Sequence, residues 1–269
     1  MDTHPIAIFD SGVGGLSVLK AINNILPAED VIYLADQMHV PYGQRSLEEI
    51  RFFSESITRY LMSQGAKLIV IACNTASAAA LHYLRSAFPN LPFVGMEPAI
   101  KPAAEETNSG VVGVLATEAT FQGELYASVM ERFADGVQVM QNPCIGLVEE
   151  IEKGNFNGKE TREILIRALV PMLAAGVDTV VLGCTHYPFV FPLIEDIVGP
   201  DVRLIDPSPA IAQQVVRVLR DSDLERSDGD SGENILYTTG DVARFRHVID
   251  MLGIKGDIGG IKWDQEIAK

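Results

Sequence analysis

Residues 68–76 read LIVIACNTA. The apolar run Leu68–Ala72 has no polar alternation, which suits a strand covered on both faces rather than one half open to water. It stops at Cys73, and Asn74 and Thr75 follow. A second stretch, TVVLGCTHY (179–187), does the same: an apolar run, then Cys184, Thr185 and His186. Strands of this kind belong to parallel sheets, whose ligands bind beyond the carboxyl ends of the strands. The residues at these two ends therefore bear on both fold and function.

Seven further runs read as strands: 6–9, 31–35, 92–95, 111–115, 137–140, 202–205 and 235–238. Amphipathic helices lie between them. In 47–64, Ile50, Phe53, Ile57 and Leu61 share one face, Ser46 and Glu49 match a capping box, and Gly65 supplies the stop. A helix over 160–175 ends before Gly176, with a kink expected at Pro171. Strand alternating with helix means α/β architecture with mostly parallel sheets flanked by helices.

The order of landmarks repeats. Strands end at Asp10, Asp36, Cys73 and Glu97, and again at Thr117, Pro143, Cys184 and Asp206, at offsets of 107, 107, 111 and 109 residues. Two similar, pseudo-symmetric units are expected, with the site in the cleft between them. The tail after 207 should pack back on the first. The domains are then 1–97 plus 208–269, and 98–207, joined through the connector EPAIKPAAEETNSG (97–110).

Bulk properties narrow the function. With 269 residues, 47% hydrophobic, the chain can bury one large core or two modest ones. A net charge of −15 argues against nucleic acid and anionic membranes as partners. Part of that charge sits in DSDLERSDGDSGE (221–233), a solvated loop by composition. MDTHPIAIFD has no basic or cleavable leader character and no apolar run is long enough to span a bilayer, so a cytoplasmic location is expected. Nothing before the first strand suggests a regulatory segment. Three cysteines without a CxxC spacing indicate neither a disulfide framework nor structural zinc.

The strand-end residues are Asp10 and Ser11, Cys73, Asn74 and Thr75, Thr117, and Cys184, Thr185 and His186. A single such cysteine is more often a small buried residue than a catalyst. Two in matched positions have a specific use. Inverting a carbon stereocentre requires a proton to leave one face and another to arrive on the opposite face, and two thiols across a cleft can do both. Each cysteine is expected to precede a helix whose dipole and cations nearby lower its pKa. His186 would assist Cys184, and Asp10 would assist Cys73. Ser11, Asn74, Thr75 and Thr185 suit a carboxylate ligand. DSGVGG (10–15) lacks the last glycine of GxGxxG, where Ser17 stands, and lacks GK[ST]; its glycines read as a tight turn with close approach to a small ligand. A cysteine hydrolase or a metal site at Cys184–His186 leaves the second cysteine unexplained. Cys144 has no counterpart and reads as structural.

The ordered motifs IAIFDSGVGGLSVL, ADQMHVPYGQRS, VIACNTASA, GVLATEATFQ, LGCTHYPF and IDPSPAIA cover about residues 6–212, and YTTGD (237–241) extends them. They resemble the glutamate racemases of the aspartate/glutamate racemase superfamily. The resemblance implies interconversion of L- and D-glutamate without pyridoxal phosphate, metal or other cofactor, supplying D-glutamate for peptidoglycan. It casts Cys73 and Cys184 as acid/base residues, acting on D- and L-glutamate respectively, with Asp10, Glu152 and His186 assisting. Substrate contacts would come from Asp10, Ser11, Tyr42, Gly43, Asn74, Thr75, Thr185 and His186, with Thr117 and Thr120 as further contacts. Glu152 is assigned by the family spacing after Cys144; by itself it would read as a solvated helix carboxylate. The chain departs from the family's Cys-Pro order with Pro143-Cys144. A racemase for aspartate or another acidic amino acid, and a non-catalytic module that binds an acidic ligand, are the alternatives. Met, Tyr and Phe are available for a homodimer interface.

Overall fold

The computed structural model describes residues 2–226 and 231–268. The chain runs through β1 (Ile6–Asp10), α1 (Leu16–Ile25), β2 (Val31–Ala35), α2 (Leu47–Ser63), β3 (Leu68–Ile71), α3 (Asn74–Ala87), β4 (Phe93–Gly95) and α4 (Ile100–Glu106). A second series follows: β5 (Val111–Leu115), α5 (Glu118–Gln122), α6 (Glu124–Phe133), β6 (Gln138–Asn142), α7 (Leu147–Glu152), α8 (Lys159–Ala174), β7 (Thr179–Leu182), α9 (Phe191–Val198) and β8 (Arg203–Ile205). The last part holds α10 (Ser208–Asp221), β9 (Asn234–Thr238), α11 (Val242–Leu252) and β10 (Asp257–Gly260).

The strands form two parallel sheets, ordered β10-β9-β2-β1-β3-β4 and β6-β5-β7-β8. The order β2-β1-β3-β4 recurs as β6-β5-β7-β8, which is the architectural duplication that the spacing of landmarks suggests. The segment after α10 adds β9 beside β2, with Ile32 opposite Ile235 and Ala35 opposite Thr238. In each sheet the chain reverses its order between the first and third strands. That topology opens a crevice at their carboxyl ends, beside Asp10 and Cys73 in one and Thr117 and Cys184 in the other.

The apolar runs behave as two-sided strands. Along β1, Ile6 and Ile8 enter one cluster with Leu16, Leu19 and Ile22 of α1, while Ala7 and Phe9 enter another with Ile50, Ile57 and Leu61 of α2. The first cluster continues into the second sheet through Leu115, Val180 and Leu182, backed by Leu165 and Leu169 of α8. Each such side chain contributes about 1.5–3 kcal/mol on full burial. The capping box of α2 is formed, with Ser46 N–H donating to Glu49 Oε2 at 2.9 Å and Glu49 N–H to Ser46 Oγ at 3.2 Å. Gly65 stands just past its end at φ +85°.

Local pattern misleads in a few places. The connector 97–110 contains α4, because Pro102 falls in the first turn, where no intrahelical N–H is needed. The strand β10 has the sequence DIGG and little strand character; pairing with β9 at the sheet edge makes it one. The strand β6 starts at Gln138 rather than Val137, in register with Val111 of β5. Pro171 lies inside α8, which runs on to Ala174. Residues 227–230 of the acidic stretch lie outside the described residues. Among the described residues no helix is long and apolar enough to cross a membrane.

One buried ion pair ties the strand entrances of the first sheet. Lys67 Nζ lies 2.6 Å from Glu29 Oε2, with the side chains 2% and 1% exposed. Such a pair gives little net stability, but removing one partner strands the other charge away from water. Lys67→Met should therefore lower stability by about 3–5 kcal/mol in urea titrations, and Lys67→Met/Glu29→Gln should recover most of that loss. A single-variant cost below about 1 kcal/mol would show that the pair is not desolvated.

Candidate active site

Cys73 leaves β3 in an extended conformation and caps α3, its Sγ accepting from Ala76 N–H at 3.4 Å. Asn74 and Thr75 form the first turn, and Ser11 Oγ lies 3.9 Å from the sulfur. Asp10 ends the neighbouring strand β1 and is fully buried. Its Oδ2 accepts from Gly15 N–H at 2.7 Å, and its Oδ1 has no partner among the described residues. Burial pushes the Asp10 pKa up to about 6, against the opposing pull of His186 and the Gly15 amide. Burial also lifts the Cys73 thiol well above its usual value, and the Asp10 charge adds to the effect. The helix N-terminus pulls the other way through Ala76 but does not prevail. The expectation of a lowered pKa fails at Cys73 because desolvation outweighs one amide.

Cys184 is placed differently. No α-helix starts after it: Thr185 and His186 lie in a turn, Tyr187–Val190 form a 3₁₀ turn, and α9 begins only at Phe191. Pro188 and Pro192 lack the N–H groups that a continuous helix would use. The polar support is His186, whose Nδ1 lies 3.8 Å from Cys184 Sγ. Its Nε2 lies 2.6 Å from Glu152 Oε1. Burial disfavours the imidazolium, but the hydrogen bonds to Cys184 and Glu152, and their charges, hold the His186 pKa well above the ordinary value.

Glu152, at the end of α7, is buried rather than solvated. It also accepts from Val13 N–H at 2.7 Å and from Gln37 Nε2–H at 2.6 Å, both contributed by the first unit. The DSGVGG glycines make this approach possible. A Cβ at Gly12 would lie 1.8 Å from Glu152 Oε1, and one at Gly14 would lie 2.4 Å from His186 Nδ1. These glycines admit the second unit's side chains rather than a ligand directly, which corrects the reading from spacing alone.

Both cysteines line one small cavity of about 10 Å³, together with Ser11, Pro41, Tyr42, Gly43, Asn74, Thr75, Thr117, Val148, Thr185 and His186. A larger space of about 250 Å³ adjoins it, sharing Pro41, Gly43, Thr117 and Val148, and Cys144 lies on its wall. Three anticipated residues stand behind the lining. Asp10 and Glu152 are one step removed from the cavity. Thr120 sits behind Thr75 and Thr117, at 3.2 and 2.9 Å from their hydroxyls. Thr75 and Thr117 Oγ1 meet at 2.8 Å across the seam. Tyr42 turns its hydroxyl away, donating to Asp36 Oδ2 at 2.7 Å, so it offers the cavity its backbone and ring. Asn74 is buried with neither Oδ1 nor Nδ2 partnered among the described residues, an arrangement suited to a polar ligand. Sequence reasoning passed over Gln37 and Tyr33, whose hydroxyl donates to Gly12 O at 2.6 Å. The bonds that recruit them span the tertiary fold and leave no local signal.

Chemically, the cavity sets a thiol from each sheet around one small volume, each with an acid/base neighbour and with neutral hydrogen-bonding groups between. The family model described as Asp/Glu/hydantoin racemase matches residues 6–215. A glutamate racemase from Roseiflexus sp. (strain RS-1) is 48% identical over 255 residues, 94% of either chain. Among solved structures, a glutamate racemase isoform from Bacillus anthracis aligns with a TM-score of 0.86 at 30% identity, over 97% of this chain and 98% of its own. The glutamate racemase from Francisella tularensis, in complex with D-glutamate, aligns at 0.85 with 32% identity over 98% and 99%.

The raised pKa of Asp10 is a stability cost at neutral pH. Between the unfolded value of 3.8 and the folded value of about 6, the folded chain holds the proton and the unfolded chain does not, so this contribution to stability falls as pH rises through that window. Asp10→Asn keeps an acceptor for Gly15 and removes the charge. It should stabilise the protein by about 3 kcal/mol at pH 7 and by almost nothing below pH of about 4, measured by denaturant unfolding across pH. A difference that does not vary with pH would contradict the assignment.

Proposed function

The chain belongs to the Asp/Glu/hydantoin racemase family, and we propose that it interconverts L- and D-glutamate by moving protons at Cα between Cys73 and Cys184. The observation that carries this reading is that matched strand ends of two duplicated sheets bring one thiol each to the same cavity. A single base does not easily reach both faces of a bound carbon; two thiols on opposite walls do. The D-glutamate formed supplies peptidoglycan synthesis, and the enzyme is assigned to the cytoplasm.

Turnover starts with one cysteine as thiolate and the other as thiol. The thiolate takes the Cα proton, the thiol delivers its own to the opposite face, and the two leave with states exchanged. His186 takes up and returns the Cys184 proton, backed by Glu152. Asp10, with a pKa of about 6, does so for Cys73. Cys73 serves D-glutamate and Cys184 serves L-glutamate. Charge that builds on the substrate carboxylate as the proton departs is met by Ser11, Asn74, Thr75 and Thr185, oriented beforehand by the turns that hold them. The Tyr42 and Gly43 backbone and Thr117 complete the wall, with Thr120 holding the threonine hydroxyls in place.

A cavity of about 10 Å³ holds roughly one water molecule, so glutamate enters only when the two units part. With units 1–97 plus 208–269 and 98–207, the bonds to be broken include Thr75–Thr117 and the Val13 and Gln37 contacts of Glu152. The adjoining space of about 250 Å³ is the approach.

Incubating either glutamate enantiomer in D₂O should give product deuterated at Cα. Cys73→Ser and Cys184→Ser should each lose about 10²–10⁴-fold in kcat, because an alkoxide forms far less readily than a thiolate. Product that keeps its original hydrogen would rule out two-base transfer. Binding of glutamate with no Cα exchange would leave a binding module, and faster turnover of aspartate would reassign the substrate.

A further inference from the structure

Gln37 lies in the loop after β2 and does not line the cavity, yet both ends of its amide are held. Thr238 Oγ1 accepts from Gly240 N–H at 2.9 Å and donates to Gln37 Oε1 at 2.7 Å. With its oxygen committed there, the amide presents Nε2 to Glu152 Oε2 at 2.6 Å. Val13 N–H donates to the other oxygen, Oε1, at 2.7 Å. His186 Nε2 lies 2.6 Å from the same Oε1. The other ring nitrogen, Nδ1, faces Cys184 Sγ at 3.8 Å. The contacts thus run unbroken from Gly240 through Thr238, Gln37, Glu152 and His186 to Cys184.

We propose that Gln37, oriented by Thr238 of β9, is a positioning residue that aligns the Glu152 carboxylate and through it holds the His186 ring in place facing Cys184. Thr238 lies beyond the 6–215 region matched by the family model. The segment after α10 is therefore part of the catalytic apparatus as well as an extension of the sheet. The charged and titratable groups facing His186 are Glu152 and Cys184 of its own unit and Asp10 of the other. The kinetic consequence rests on the racemase reading; the effect on His186 does not.

The test uses the full chain and three variants, Gln37→Met, Thr238→Val and Thr238→Ser, with kcat and KM for both glutamate enantiomers and the His186 titration followed by NMR. Gln37→Met and Thr238→Val should lower kcat about 10- to 100-fold with KM little changed. Both should also move the His186 midpoint down toward the ordinary histidine value, because a Glu152 oxygen left without its donor turns the carboxylate away from the imidazole. Thr238→Ser keeps the hydroxyl and should restore both measures. An unmoved His186 midpoint in Gln37→Met and Thr238→Val would overturn the proposal. So would a Thr238→Ser variant as impaired as Thr238→Val, since the packing of Thr238 would then be responsible. Absence of racemisation in the unmodified protein would refute the activity and leave the NMR result to decide the role of Gln37.

Discussion

The Glu152 carboxylate sits at the seam between the two sheets, and the geometry of the site depends on it. An unpaired carboxylate buried there would cost several kcal/mol, so its position is tolerable only because Val13, Gln37 and His186 all direct N–H groups at it. Two of these donors come from the first unit and one from the second. Satisfying the charge is therefore the same event as bringing the two sheets together.

The two halves of the site solve the same problem by different means. The sheets repeat in order and the cysteines fall at equivalent strand ends, yet Cys73 caps an α-helix while Cys184 enters a proline-interrupted turn. Cys73 is paired with a lone buried carboxylate, Asp10, and Cys184 with an imidazole backed by a carboxylate. Asp10 is a buried carboxylate with one oxygen lacking a partner among the described residues.

Much of the architecture was legible in the chain. Uninterrupted apolar runs such as IAIF and LIVIA suit strands covered on both faces, and the landmark offsets pointed to the duplicated strand order. The cysteines, Ser11, Asn74, Thr75, Thr185 and His186 stand at strand ends, where this topology opens its crevice. What escaped notice was short-range pattern overridden by long-range pairing. DIGG became β10 because β9 offered an edge, and Pro102 did not prevent α4. Glu152 looked like one of several solvated glutamates in LVEEIEKG. Gln37 and Tyr33 carried no signal at all.

The sequence by itself determined the parallel α/β class, the two repeated units, the matched thiols and the family. Those properties follow from periodicity, from residue type at a strand end and from ordered motifs, all of which are local. Only the tertiary structure decided which residues stand behind the cavity lining, that Tyr42 donates its hydroxyl to Asp36, and that the DSGVGG glycines make room for Glu152 and His186. The physical reason is that burial and hydrogen-bond satisfaction are set by groups far apart in the chain. Val13 and Gln37 reach Glu152 across 139 and 115 residues, and no window of sequence contains both ends of such a bond.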